Sequence, residues 1–285
     1  MKTQLLWMML ALPALALWGC GSDFDPPSYL SDLRVLAMVA DPVEAGPQDE
    51  VRIAPAVFVH PSTALSERRL TFCPFSLGAS AGFRCAVAEC ETALSFEADE
   101  SARARPYDLL LACAARLGGG SGGGIPQEIP ESLEVLYRLE VKAENGDARL
   151  AALRQRLWTR SAPPAQNRNP VVQSVKIGDS EVLPGGTAAA VPLGGEIEVT
   201  VRTDPQSLDS FVDASGRERQ EDAVVSFYAT AGRFDFDQAA GTEVSVTWKA
   251  NDIAPPGERA EMYFVLRDLR GGQAVTGPYR VPIGP

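Results

Sequence analysis

Two groups of side chains could carry chemistry in this sequence: one histidine and a run of acidic residues. His60 is the only histidine among the 285 residues, so any imidazole base must be this residue. Its segment, 59–62, follows an apolar stretch and contains no Gly-x-Ser-x-Gly nucleophile motif. An activated nucleophile needs a positioned base and a group that orients it. We therefore expect His60 to be a loop residue and the chain not to be an enzyme.

The acidic side chains that could bind a metal ion lie between residues 204 and 222. Ca²⁺ prefers several converging oxygen ligands. The candidates for such a site are Asp204, Asp209 and Asp213. Their spacing differs from that of an EF-hand loop, and Arg217 and Arg219 are interleaved as counter-charges. We expect a solvated loop with local ion pairs here, and no metal or other cofactor.

Four of the five cysteines fall in the first half of the chain, outside the N-terminal segment. They are Cys73, Cys85, Cys90 and Cys113. An even number in an exported chain predicts two disulfides, and the absence of a Cys-x-x-Cys pair argues against zinc. Three pairings are possible, and we favour Cys85 with Cys90 and Cys73 with Cys113, in which the longer bridge ties distant strands together.

The fifth cysteine, Cys20, ends an apolar N-terminal segment. Lys2 precedes an uncharged run, 5–17, which has the length of a signal-peptide core. Leu17-Trp18-Gly19-Cys20 resembles a bacterial lipobox, which implies cleavage after residue 19 and lipidation of Cys20. Three acyl chains, at about 0.8 kcal/mol per buried CH₂, would anchor the chain permanently. The alternative is an ordinary signal peptide in which Cys20 is incidental.

The second residue of the mature chain would be Gly21 rather than an aspartate. By resemblance to lipoprotein sorting, this implies the outer membrane, with the protein facing the periplasm or the cell exterior. The net charge is −11 and neither half is basic, so we expect no nucleic-acid partner. The expected partners are the membrane, through the lipid anchor, and another envelope protein.

The apolar pattern and the breaks in it predict four segments after the signal peptide, 1–19. They are a tether at 20–31, a first domain at 32–160, a proline-rich linker at 161–170 and a second domain at 171–285. The glycine-rich run 118–124 lacks the strand, helix and lysine of a phosphate-binding loop, so we expect a flexible loop.

Short apolar or alternating runs indicate β-strands in both domains. In the first they are 33–40, 51–59, 109–113, 136–143 and 149–158. The last could also be a helix, but the Asn145-Gly146 turn before it favours a hairpin. The stretch 60–100 shows little periodicity. In the second domain the expected strands are 171–177, 196–202, 223–230, 242–249, 262–267 and 274–282.

Sequence segments in both halves of the chain resemble those of known β-sandwich repeats. The first two strands of bacterial immunoglobulin-like domains are similar to two segments in each half of the chain. These segments are 33–36 and 51–53 in the first half, and 172–175 and 193–201 in the second. The segments 227–234, 246–250 and 264–272 are similar to tandem Ig-like or PKD-like repeats of myxobacterial surface lipoproteins. The resemblance implies an all-β fold of two tandem Ig-like β-sandwiches. It carries little about activity.

The resulting functional hypothesis is a non-enzymatic, outer-membrane-anchored lipoprotein that acts as a structural or protein-interaction module. The alternative is a surface lipoprotein that binds glycan or calcium. Trp158 and Trp248 lie in or beside apolar strands, so we expect them in the core. Phe234 and Phe236, two residues apart, could share one strand face and form a sugar-binding surface.

Overall fold

The computed structural model describes residues 26–118, 130–163, 167–213 and 215–284. The predicted signal peptide, Cys20, the first residues of the tether and the glycine-rich run from residue 119 onward lie outside the described residues. The described chain is built mainly of β-strands, and the predicted all-β class with two Ig-like sandwiches is confirmed. Among the described residues, no helix combines the length and apolarity needed to cross a membrane.

The first sandwich places a three-stranded sheet, in the order β1-β2-β5, against a four-stranded sheet, in the order β4-β3-β6-β7. Its elements are β1 (Arg34–Asp41), β2 (Val51–Phe58), β3 (Leu65–Cys73), β4 (Thr92–Leu94), β5 (Ala102–Ala104), α1 (Pro106–Gly118), β6 (Ser132–Ala143) and β7 (Ala148–Trp158). The hairpin at Asn145-Gly146 pairs β6 with β7, as predicted, and Gly146 adopts the positive φ of 93° that such a turn requires.

Two predictions for the first sandwich are wrong. Residues 109–113 belong to α1 rather than to a strand, since Leu110 and Cys113 share a buried helix face at a spacing of three. Pro106 also begins that helix, where its missing N–H costs nothing. The stretch 60–100 contains the nine-residue strand β3, whose polar residues 66–69 hide the pattern.

The disulfides join Cys73 to Cys85 and Cys90 to Cys113. The two predicted disulfides are therefore formed, but the predicted pairing is wrong. Cys113 lies on α1, so it faces the short turn that carries Cys90 and not β3. Each bridge fixes an irregular segment to a regular element, which restricts the unfolded chain.

The second sandwich contains the sheets β15-β17-β11-β8-β9 and β10-β19-β18-β14-β16, with β12 and β13 as a separate hairpin. Its strands are β8 (Val172–Ile177), β9 (Ser180–Glu181), β10 (Val191–Pro192), β11 (Glu196–Thr203), β12 (Ser210–Val212), β13 (Glu218–Gln220), β14 (Val224–Ala229), β15 (Arg233–Phe234), β16 (Gln238–Ala240), β17 (Glu243–Lys249), β18 (Arg259–Arg267) and β19 (Gln273–Gly284). All six strands expected here are confirmed. The predicted linker lies between the end of β7 and the start of β8.

The two sandwiches contact each other through sheet faces. On β18, Phe264 points into the core of the second sandwich, whereas Val265 points outward and is equally buried. Val265 packs there with Leu36 and Phe58 of the first sandwich, and the Phe58 ring lies 5.9 Å from that of Tyr263. β1 and β18 are thus buried on both faces, so the molecule has four stacked sheets rather than two sandwiches joined end to end.

Candidate functional site at the junction of the sandwiches

Four loop segments meet where the two sandwiches join. They are the turn after β1, the residues around 167–169, the β12–β13 hairpin with the residue that follows it, and the turn between β18 and β19. Three of these carry a buried carboxylate, from Glu44, Glu221 and Asp268, and the arginines that matter here are Arg168 and Arg270. A buried charge must be paired and hydrogen-bonded to be tolerated, so the contacts of these side chains fix how the segments fit together.

Arg270 is the centre of the first charge group. Its Nη1 donates to Glu221 Oε1 at 2.6 Å, and the Glu221 side chain is 0% exposed. Its Nη2 lies 3.9 Å from Oε1 of the buried Glu44, and its guanidinium lies 4.6 Å from the centre of the Phe211 ring. Trp158 Nε1 donates to Glu44 Oε2 at 2.8 Å. One arginine from the second sandwich therefore faces a carboxylate from each half of the chain.

Arg168 forms the second charge group with Asp209. The guanidinium donates to both carboxylate oxygens, at 2.6 Å from Nη2 to Oδ1, and the Arg168 backbone N–H adds a bond of 3.0 Å to Oδ2. Burial alone would raise the pKa of Asp209, but the hydrogen bonds and charge of Arg168 outweigh it and the net shift is downward. The Asp209 N–H donates to Glu221 Oε2 at 2.7 Å, which connects the two groups.

Asp268 is a buried carboxylate that forms no ion pair with the residues the structure describes. It is 1% exposed, and its Oδ1 accepts from the N–H groups of Arg270 and Gly272 at 2.7 and 2.9 Å. Within the described residues, its Oδ2 and the Oδ1 of Asn167 are buried and accept no hydrogen bond. Burial raises the pKa of Asp268, and the two backbone hydrogen bonds offset that rise only in part.

Polar side chains also bridge the two halves directly. Asn169 donates from Nδ2 to Ala40 O of β1 at 2.8 Å and accepts at Oδ1 from the Gln273 N–H of β19 at 2.9 Å. Arg267 Nη2 donates to Leu36 O at 3.2 Å. The two Asn169 bonds fix the end of the predicted linker against both sandwiches, and the Arg267 bond joins β18 to β1.

A cleft of about 520 Å³ opens beside this network. Its lining includes the carboxylates of Asp41, Glu44 and Asp49, together with Arg168 and the exposed Ala162. The Arg168 charge is already neutralised by Asp209. Because Glu44 faces Arg270, Asp41 and Asp49 are the carboxylates that suit the cleft to a positively charged group. Among the described residues that line it, there is no cysteine, serine or histidine that could act as a nucleophile or base.

The three aspartates considered for calcium make separate contacts. Asp204 caps a short 3-10 turn by accepting from Gln206 N, and Asp209 pairs with Arg168. Asp213 accepts from Ser215, Arg217 and Arg219, and these hydrogen bonds lower its pKa to about 2. In the part of the chain that the structure describes, no three His, Cys, Asp or Glu side chains are placed to share a metal ion.

His60 lies in the loop after β2, as expected. Its Nδ1 lies 2.7 Å from Ser62 Oγ, only two residues away, at the rim of the first sandwich. No carboxylate of the described residues is hydrogen-bonded to this imidazole, so the contact closes a local turn and lacks the third group of a catalytic triad.

The predicted aromatic surface is wrong. Phe234 is buried, with its ring 5.4 Å from that of Phe227, whereas Phe236 is 64% exposed. The two differ because β15 ends at Phe234 and the chain turns there, so the alternation of a strand does not continue. Trp248 is buried in the second core, as expected, and donates to Ala231 O. Trp158 is half-buried at the junction, where it contacts Glu44.

Comparisons with known proteins identify no family for the chain. No protein-family model matches the chain, and no curated protein is similar to it in sequence. Among solved structures, it is similar to a protein from Corynebacterium diphtheriae described as membrane-anchored, with 11% identity and a TM-score of 0.24; the match covers 90% of this chain and 60% of that one.

It is also similar to the N-terminal Ig1-2 module of the Drosophila receptor protein tyrosine phosphatase DLAR, with 9% identity and a TM-score of 0.25. That match covers 89% of this chain and 100% of the module. A Ca²⁺-stabilised adhesin of an Antarctic bacterium gives 9% identity and a TM-score of 0.22, over 89% of this chain and 50% of the adhesin. At these identities and TM-scores, nothing about the function of those proteins applies to this chain.

Proposed function

We propose that this chain is a non-enzymatic lipoprotein, anchored through Cys20 in the outer membrane, that presents a fixed binding surface to another protein of the cell envelope. The observation that carries the proposal is the buried junction. An apolar face, two connected charge groups and the Asn169 bridge hold the two sandwiches in one arrangement. A module of this kind binds a partner without the entropy loss of ordering two mobile domains.

The acidic cleft at the junction is the part of this surface that we expect the partner to contact. Of the carboxylates in its described lining, Glu44 faces Arg270, as Arg168 faces Asp209, so Asp41 and Asp49 supply its negative charge. Complementary charge steers association and suppresses wrong partners. The partner segment that fits is therefore a basic one, rich in lysine or arginine.

Photo-crosslinking in whole cells tests the proposal. A photoreactive amino acid replaces Ala162, which is exposed and lines the cleft, in the full-length chain. The matched control places the same residue at Leu111, an exposed position on α1. We expect one envelope protein to be captured from position 162 and not from position 111. Capture of the same proteins from both positions, or of none from position 162, would overturn the assignment of the cleft.

A further inference from the structure

The first described residues form a backbone bridge to the second sandwich and also pack against the first. The Leu30 N–H donates to Ala229 O at 2.8 Å, and the Ala229 N–H donates to Ser28 O at 2.9 Å, which forms a short parallel bridge. Leu30 and Ser28 are buried, and Tyr29 N–H closes a turn onto Pro26 O. Any force on the N-terminal tether is therefore transmitted first to β14.

Ala229 is the last residue of β14, so the tether attaches close to one end of the second sandwich. This end, the distal tip, consists of the turns 193–195, 230–232 and 250–258. Hydrogen bonds join these turns: Gly194 N–H donates to Asn251 O at 3.0 Å, and Gly232 N–H donates to Asn251 Oδ1 at 3.1 Å. The acidic cleft lies at the opposite end of the same strands, beside the turn between β18 and β19.

Pro26 lies only six positions after Cys20. An extended chain spans at most about 3.3 to 3.6 Å per residue, so this segment reaches about 20 Å. A lipid at Cys20 therefore holds the distal tip within that distance of the bilayer, while the cleft lies the length of the sandwich away.

The distal tip exposes apolar side chains on two neighbouring turns. Ile253 is 82% exposed and Leu193 is 39% exposed, and Ala254 and Pro256 beside Ile253 are also exposed. The charges around them balance, with three acidic and three basic residues in a protein of net charge −11. They are Glu196, Asp252 and Glu258, and Arg233, Lys249 and Arg259. The tip is thus an apolar, charge-balanced surface on an acidic protein.

We infer that the distal tip docks on the bilayer surface that holds the Cys20 lipid, with Ile253 and Leu193 inserted at the level of the headgroups; this rests on the proposed lipid anchor. Apolar side chains that enter the interface gain free energy in proportion to the area they bury. A nearby anchor raises their effective concentration at the membrane, so two side chains suffice. Docking at this tip would point the acidic cleft away from the membrane, toward a partner.

Tryptophan quenching in vesicles tests this orientation. The lipidated full-length chain is reconstituted in phosphatidylethanolamine and phosphatidylglycerol vesicles whose acyl chains carry bromine, a short-range quencher. Ile253→Trp and Leu193→Trp place the probe on the tip, and Val212→Trp places it on the exposed β12–β13 hairpin near the cleft. After subtraction of wild-type fluorescence, we expect the tip probes to be quenched at least about twofold more than the hairpin probe.

Flotation of the same vesicles distinguishes failure of the tip docking from failure of the proposed lipid anchor. Chains that float, with equal quenching at all three positions or stronger quenching at position 212, would overturn the docking of the tip and leave the lipid anchor in place. Chains that do not float, and that behave like a Cys20→Ser variant, would overturn the lipid anchor and the docking with it. Because the two tip variants lie on different turns, a local folding defect caused by one substitution would not affect the result from the other.

Discussion

The Arg270 guanidinium lies 2.6 Å from the Glu221 carboxylate, and the same guanidinium lies 3.9 Å from Glu44 of the first sandwich. Arg270 thus neutralises a fully buried acid of its own sandwich and reaches an acid of the other. The contact between Arg270 and Glu44 is therefore part of how the two sandwiches fit together, because a different arrangement would remove it and leave Glu44 with the Arg156 guanidinium of its own sandwich, 3.9 Å away.

Removal of Arg270 should destabilise the protein strongly. Arg270→Ala leaves the Glu221 carboxylate buried without its cation, and such a loss typically costs about 3–5 kcal/mol. Urea unfolding followed by tryptophan fluorescence measures the change in the free energy of unfolding. The control is Arg217→Ala, which removes an exposed ion pair with Asp213 and should cost less than about 1 kcal/mol. Equal midpoints for the two variants would contradict the structural role of Arg270.

Asp268→Asn should make the protein more stable at pH 7. Burial raises the folded-state pKa of Asp268, so its contribution to stability is fully present below the unfolded pKa and is lost as pH rises through the folded pKa. Asparagine keeps an oxygen for the N–H groups of Arg270 and Gly272 and carries no charge. We expect the Tm difference between the variant and wild type to be positive at pH 7 and to shrink toward pH 4.

The control for this experiment is Asp268→Ala, which removes both hydrogen bonds and should lower Tm at each pH. A Tm for Asp268→Asn that is below wild type at pH 7, or a difference that does not change with pH, would show that the Asp268 carboxylate is not destabilised by burial.

Val265→Asp should separate the two sandwiches without unfolding either one. Val265 is fully buried between them, but it points away from the core of its own sandwich. An unpaired carboxylate at this position costs several kcal/mol unless the interface opens to water. Small-angle X-ray scattering should show a larger radius of gyration, while circular dichroism retains the β signal. The control, Val212→Asp, is at an exposed position and should leave the radius of gyration and the circular dichroism signal unchanged. An unaltered radius of gyration for Val265→Asp would contradict the four-layer arrangement.

Loss of either disulfide should cost about 3 kcal/mol, because the bridges close chain segments with sequence separations of 12 and 23 residues. Double replacement of each bonded pair by alanine, followed by urea unfolding, measures the two costs separately. Peptide mapping under non-reducing conditions should recover Cys73 linked to Cys85 and Cys90 linked to Cys113. A peptide that links Cys73 to Cys113 would contradict the structure.

The fold class was accessible from the sequence because each sandwich repeats a local signal. The second half shows alternating apolar residues between glycine turns, and all six predicted strands are present. The local signal failed at 109–113, since five apolar residues have the same pattern in a buried strand and in one face of a helix. It also failed at Phe236, which lies two residues beyond the end of β15, so the alternation of a strand does not apply to it.

The junction residues were missed because no motif marks them. Glu44, Glu221 and Asp268 are separated from one another by tens to hundreds of residues, and the arginine that faces Glu44 and Glu221 comes from another loop. One signal was present: the apolar runs of β1 and β18 do not alternate, as expected for strands buried on both faces.

The sequence by itself determined most of the strands, the even number of cysteines after Cys20 and the charge, because these depend on residue type and on spacing along the chain. Only the tertiary structure decided which cysteines pair, which acids meet Arg270 and which faces the sandwiches share. Those choices depend on distances between residues far apart in sequence, such as Leu36 and Val265. They are set by burial of both faces of β1 and β18, and hydropathy alone does not specify what covers the second face.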